Sequence, residues 1–370
     1  MANHETSDAP GLSSVAHFDI QLRRYLDVSG KPLCELPGFA RDRELLTKIY
    51  RHMVVTRAFD EKAIALQRTG RLGTYASALG QEAVGVCVAA CMQETDVLLP
   101  SFREHGAQLC RGVTMDELLL FWGGDERGND FSGPQYDFPN CIPVASHFPH
   151  AVGVALALKS GQTDDIAVAM AGDGATSKGE FYEALNIAGA WRLPVLFVIV
   201  NNGWAISVPR SAQTAAATLA QKAIAAGIPS EQVDGNDAIA MVAAVRSAIE
   251  TIRSGKGPIL IEALTYRLSD HTTADDASRY RSDEEVSHHW KEEPVSRLRG
   301  FMTSSGMWAK QDEHSLIEEA RMLVAEAAEK YLAHPPQSAS SIFDHLFHEL
   351  PPSLIRQHDF LMKQEATHNG

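Results

Sequence analysis

Two short groups of residues could together hold a phosphorylated ligand and a metal ion. Gly172-Asp173-Gly174 stands where one apolar run ends and a helical pattern begins, and Asn201-Asn202 closes the next apolar run, with 26 residues between Gly174 and Asn201. Glycines let backbone approach a ligand closely. A helix N-terminus after the turn would offer free N–H groups and the positive end of its dipole to a phosphate. Asp173 offers a carboxylate oxygen and Asn202 an amide oxygen, and hard donors completed by phosphate oxygens suit octahedral Mg²⁺. Taken alone, either group is a turn. Together at the carboxyl ends of neighbouring strands, they occupy the edge where doubly wound sheets bind ligands. Other phosphate signatures fit less well: the glycine spacing is not that of a dinucleotide fingerprint, and Glu180 stands where a P-loop needs lysine.

The elements that must position these groups follow from hydrophobic periodicity. Leu45, Leu46, Ile49, Met53, Val54, Ala63 and Ile64 predict a helix from about Asp42 to Arg68, ended by Gly70. Small residues predict a second from about 81 to 92. Val97-Leu98-Leu99-Pro100 reads as a short strand, and Thr114-Met115-Asp116-Glu117 as a capping box opening the helix that ends near Trp122. Residues 125–145 read as loop. Beyond them come a helix over 149–159, a strand over 166–171, a helix over 179–191, a strand over 195–200, helices over 214–226 and 237–254, and a strand over 259–264. Short continuous apolar strands alternating with helices imply an α/β fold whose parallel sheet is covered by helices on both faces. Residues 268–284 form a long polar segment, and a charged helical region follows to about 333. The expected organisation is an arm over 1–40, with a small hairpin at Val28-Ser29-Gly30-Lys31, an α/β domain over 41–330 with a helical C-terminal extension, and a polar tail over 331–370.

Composition limits the function. The chain has 370 residues, 33 basic and 47 acidic side chains and a formal net charge of −14. That balance opposes a nucleic-acid or anionic-membrane surface, which demands an excess of Lys and Arg. Five cysteines without a CxxC pair suggest neither a disulfide framework nor a zinc site. The polar start, MANHETSDAP, has no apolar signal core, and Val195–Val200 is too short to span a bilayer. The expected location is the cytoplasm.

Larger stretches carry a family resemblance. Gly172-Asp173-Gly174-Ala175, Asn201-Asn202-Gly203-Trp204-Ala205-Ile206-Ser207, Val233-Asp234-Gly235-Asn236-Asp237, and Tyr266-Arg267 through His271 to Tyr280-Arg281 resemble the E1 α subunits of thiamine-diphosphate-dependent 2-oxo acid dehydrogenases. Arg71-Leu72-Gly73 and Gly80-Gln81-Glu82-Ala83 fit as well, so the resemblance spans about residues 20–360. It implies the thiamine-diphosphate-binding fold, with thiamine diphosphate and Mg²⁺ as cofactors. It implies an active site completed by a β subunit in an α2β2 heterotetramer, and acyl transfer to a lipoyl-bearing E2 core. The implied reaction is oxidative decarboxylation of a 2-oxo acid. Pyruvate is the first choice, a branched-chain acid such as 2-oxoisovalerate the alternative, and acetoin cleavage or a silent regulatory chain the less favoured readings.

The resemblance also assigns residues. Asp173, Asn202 and the backbone carbonyl of Trp204 match the Mg²⁺ ligands, while Gly172, Gly174 and Ala175 match positions along the diphosphate. Phe102-Arg103 falls at a Tyr-Arg position: Arg103 would clamp a phosphate, and Phe102 lacks the usual hydroxyl. Val144 would lie against the thiazolium ring. His271 would stand near the reacting centre, with Arg267 and Tyr266 before it and Arg281 tying the loop down. That loop is expected to be mobile without cofactor. Thr272 stands where some animal relatives carry a phosphorylated Ser, a control not expected here. Glu180 and Glu183 fall where acidic residues line a proton channel between active sites.

Overall fold

The computed structural model describes residues 13–344 and 346–368. MANHETSDAP and the rest of residues 1–12 lie outside the described residues. In chain order the strands are β1 (Leu22–Arg23), β2 (Val97–Leu99), β3 (Ala167–Gly172), β4 (Val195–Asn201), β5 (Trp204–Ala205), β6 (Val208–Pro209), β7 (Ser230–Asp234) and β8 (Ile259–Leu264). Six form one sheet in the order β1-β7-β8-β4-β3-β2, with every neighbouring pair parallel, while β5 and β6 make a small antiparallel ribbon. Register brings Gly172 beside Val200 and Asn201 beside Leu264, so the ends of β3, β4 and β8 open on one edge.

Strand parity explains why helices cover both faces. Val168, Met170, Leu196, Val198, Ile261 and Ala263 point into one core, against helices Arg43–Arg68, Glu82–Cys91 and Ala238–Thr251. Ala167, Ala169, Val195, Phe197, Ile199 and Leu260 point into the other, against helices His147–Ser160 and Gly179–Trp191. Successive strand side chains alternate faces, and each fully buried aliphatic side chain contributes about 1.5–3 kcal/mol relative to exposure. The capping box forms in both halves: Thr114 accepts from the Glu117 amide, and the Glu117 side chain accepts from the Thr114 amide.

Several boundaries differ from expectation. Part of the segment read as an arm belongs to the body: β1 pairs with β7, Arg23 forms an ion pair with Glu231, and Leu26 is fully buried. Strand β7 has too few apolar residues to announce itself, and its polar side chains are tied by Arg23–Glu231 and by Gln232–Glu262. The helix expected over 214–226 is a 3₁₀ segment, Ala220–Ala226, because Thr218 and Gln221 bond each other across the entry to it. The helix expected directly after Gly172-Asp173-Gly174 is preceded by a 3₁₀ turn, Asp173–Ser177, with the Thr176 hydroxyl donating to the Asp173 carbonyl. The expected hairpin is present, with Gly30 at φ +85° against the backbone of Arg297 and Phe301, where a Cβ would fall 2.5 Å from the Arg297 carbonyl.

A boundary between compact units falls between Ala328 and Glu329. In the second unit helices Ser341–Asp344 and Pro352–His368 meet through Phe343 and His358, whose ring centroids are 5.6 Å apart. All five cysteines are unpaired. Among the described residues no helix is long and apolar enough to cross a membrane.

Candidate active site

The carboxyl edge of the sheet carries a cavity of about 670 Å³. Each neighbouring strand end delivers residues to it. Phe102 and Arg103 follow β2, Gly172 through Ala175 end and follow β3, Asn202 and Trp204 follow β4, and Arg267 and His271 follow β8. With Val144 from the loop before helix His147–Ser160, every site residue expected from sequence lines this one cavity.

Two guanidinium groups dominate the electrostatics. Arg103 Nη1 donates to the Ser77 carbonyl at 2.6 Å, and Nη2 donates to the His271 carbonyl at 2.8 Å and to His271 Nδ1 at 3.2 Å. Arg267 Nη1 donates to the Trp204 carbonyl at 3.1 Å and to the same His271 Nδ1 at 3.3 Å, and its Nη2 reaches the Ile206 carbonyl and the Tyr280 hydroxyl. Among the described residues neither forms an ion pair with a carboxylate. Both are buried, at 6% and 1% exposure. Burial, then repulsion from Arg267, pulls the Arg103 pKa down to about 10, and burial lowers that of Arg267. Two buried cations with no carboxylate in ion-pair reach among the described residues suit an anionic ligand.

His271 is set by these neighbours. Burial, then the charges of Arg103 and Arg267, lowers its pKa to about 4. Because both arginines donate to Nδ1, the neutral ring carries its proton on Nε2. An NMR titration of the cofactor-free protein is expected to show His271 neutral down to about pH 4. Its folded pKa lies below the unfolded value, so its share of stability falls as pH drops from about 6.5 toward 4 and levels off below that. A His271 midpoint near 6.5 would contradict this environment.

Gln213 Nε2 donates to Asp173 Oδ2 at 2.6 Å, and burial raises the Asp173 pKa. Asn202 Nδ2 donates to Gln81 Oε1 at 3.1 Å, while its Oδ1 accepts from the Trp204 amide at 3.3 Å. Adjacent Asn201 turns the other way, donating to buried Glu262 at 2.7 Å. Of the two consecutive asparagines, one is structural and one faces the cavity. A Cβ on Gly174 would come within 2.9 Å of Ala205, whereas one on Gly172 would meet no protein atom within 4 Å. The first glycine allows close packing of the turn, and the second leaves open space beside the strand end. The oxygen set of Asp173, Asn202 and Trp204 fits a hard cation. Among the described residues no group of three or more His, Cys, Asp or Glu is placed to hold a metal.

Val144 is 44% exposed, and the next residue, buried Ala145, adopts φ +70°. Ile206 adopts φ +55° and lends its carbonyl to Arg267. Two of the four left-handed non-glycine residues among the described residues thus line the cavity, a conformation that costs energy and clusters at functional sites. As expected, Arg281 holds the His271 loop, donating to the carbonyls of Arg267, Leu268 and Ser269. Glu180 is half-buried beside Lys178, at 3.8 Å, and Glu183 is exposed. Sequence reasoning gave no role to Gln81, Gln213, Ser77 or Tyr280. Gln81 and Tyr280 carried a signal, since they stand inside the Gly80-Gln81-Glu82-Ala83 and Tyr266–Arg281 stretches; Gln213 and Ser77 touch the site only through the tertiary fold.

The family model described as "Dehydrogenase E1 component" matches residues 50–340. The chain is 38% identical over 350 residues to the 3-methyl-2-oxobutanoate dehydrogenase subunit alpha of Mycobacterium tuberculosis, covering 94% of this chain and 95% of that relative. It is 38% identical over 324 residues to the pyruvate dehydrogenase E1 component subunit alpha of Staphylococcus aureus, covering 87% of this chain and 88% of that relative.

Proposed function

Because the chain belongs to the dehydrogenase E1 component family, we propose that its substrate is pyruvate and that Arg103, Arg267 and His271 form the cationic half of its cofactor site. It is an E1 α subunit of the 2-oxo acid dehydrogenases, thiamine-diphosphate-dependent oxidoreductases that work with a β subunit. The assembly we propose is an α2β2 heterotetramer that delivers its acyl group to a lipoyl-bearing E2 core. One observation carries the site: two buried arginines without an ion pair line the same cavity as a buried Asp and Asn.

When bound, thiamine diphosphate supplies the electron sink that lets a 2-oxo acid release carbon dioxide. Arg103 and Arg267 would hold its diphosphate, whose charge replaces the missing counter-anion. Gly172, Gly174 and Ala175 would let backbone come close to it. Asp173, the Asn202 amide oxygen and the Trp204 carbonyl would hold Mg²⁺. With a single carboxylate among these ligands, the metal depends on phosphate oxygens, so metal and cofactor bind together. Val144 would pack against the cofactor ring. Neutral His271 would offer its Nε2 hydrogen to the substrate or the incoming lipoyl group while taking no proton itself near neutral pH.

Phe102 lies edge-on to His271, with ring centroids 6.0 Å apart, and Trp122 adds bulk to the same cavity. This favours a short acyl chain and supports pyruvate. The branched-chain reading stands second, favoured by the longer match to the mycobacterial relative. Carbon dioxide release by the assembled αβ enzyme decides between them. We expect thiamine-diphosphate- and Mg²⁺-dependent release with kcat/KM for pyruvate at least about tenfold above that for 2-oxoisovalerate, the discrimination one or two methyl groups provide. The reverse preference would establish the second reading. Release from neither acid, with the β subunit present, would point to acetoin cleavage or a silent chain.

A further inference from the structure

Asp60 lies inside helix Arg43–Arg68 and is 2% exposed. Its Oδ1 accepts from the Tyr75 hydroxyl, and its Oδ2 accepts from the Ser77 hydroxyl and the Ala78 amide, both at 2.7 Å. All three donors belong to one extended segment between helices. That segment holds the site from two sides. The Ser77 carbonyl accepts from Arg103. Tyr75 is bridged to the His271 loop by a reciprocal pair: its amide donates to Thr273 Oγ1 at 3.0 Å, and the Thr273 amide donates to its carbonyl at 2.9 Å. Leu268 donates to the Leu79 carbonyl at 3.1 Å, and a Cβ on Gly80 would sit 2.4 Å from the Tyr266 carbonyl.

We propose that Asp60 is a positioning residue, the polar anchor through which helix Arg43–Arg68 fixes both Arg103 and the His271 loop. Three hydrogen bonds to one carboxylate take the freedom out of residues 75–78, and residues 75–78 pass that constraint to Arg103 and to Thr273. Asp60 does not line the cavity, and its three partners come together only in the fold. Burial raises its pKa to about 6, so near neutral pH it is mainly the carboxylate that its three donors favour. The stack of Tyr75 on His105, with centroids 5.2 Å apart, holds the phenol in place from behind.

This inference rests on the proposed site for its effect on cofactor binding, but the anchor itself is testable without cofactor. Hydrogen exchange in the cofactor-free αβ complex is compared for wild type, Asp60→Asn, Tyr75→Phe and Thr273→Val. Tyr75→Phe removes one donor to Asp60 and keeps the ring stack, and Thr273→Val removes the side-chain half of the bridge downstream. All three variants are expected to exchange at least about fivefold faster in the peptides covering both 74–80 and 268–281, with peptides from β3 and β4 unchanged. Asp60→Asn is also expected to raise the thiamine diphosphate Kd, read by calorimetry, by about tenfold. Wild-type protection of 268–281 in Tyr75→Phe and Asp60→Asn would overturn the anchor, as would faster exchange spread evenly over the chain. If Asp60→Asn does not assemble, Tyr75→Phe decides alone. Faster local exchange with an unchanged Kd would support the anchor and count against the cationic cofactor site.

Discussion

Asp173→Ala in the assembled enzyme should lose about 10³-fold in thiamine-diphosphate-dependent turnover, the scale of losing a group that holds charge at a reacting centre. The fold should be left nearly untouched. Asp173 is buried, its one side-chain partner is Gln213, and burial alone penalises its charge. Removing it relieves that penalty while Gln213 turns toward the cavity. Unfolding free energy of the cofactor-free protein should therefore stay within about 1 kcal/mol of wild type. Calorimetry should find Mg²⁺ no longer promoting cofactor binding. Full turnover by a correctly assembled variant would remove Asp173 from the metal site.

Arg103→Met should raise the thiamine diphosphate Kd by about 100-fold, as expected for two charge-assisted hydrogen bonds. Stability should move little. The variant removes an unneutralised buried cation, which offsets the loss of its bonds to the Ser77 and His271 carbonyls. It also leaves a signature at a distance. Without Arg103, one of two repelling charges on His271 disappears, and the His271 midpoint should rise from about 4 toward the ordinary range while burial keeps it below. A Kd within threefold of wild type, or an unmoved His271 midpoint, would contradict the cation pair.

The sheet was legible where its strands are continuous and aliphatic. β3, β4 and β8 lie where periodicity puts them, because a strand buried on both faces has nothing but apolar side chains to show. β1 and β7 were not legible. Leu22–Arg23 is two residues long, and Ser230–Asp234 owes its place to Arg23, Glu231, Gln232 and Glu262 meeting across the sheet edge, a pairing no local window contains. The same division runs through the site. Gly172-Asp173-Gly174 and Asn201-Asn202 announce themselves by position at strand ends. Which Asn faces the cavity is decided by Glu262 on β8 and by Gln81 after a distant helix. The two arginines read as ordinary charges in sequence. Their character comes from converging on one imidazole with no acid paired to them, which is a property of the fold.

The pairing of Arg103 with His271 spans 168 residues, and that of Arg23 with Glu231 spans 208. Contacts this distant along the chain form late, since loop closure is needed before they gain anything. On the ribosome, β1 and the Arg103 turn therefore emerge long before their partners, and the cation cradle stays unfinished until Arg281 has been added to hold the loop. A ligand that binds only the finished cradle stabilises the native chain alone, by an amount that grows with its concentration. Vitamin supply would thus act on maturation as well as on turnover: newly made chains should survive proteolysis longer in cells replete with thiamine diphosphate than in starved ones.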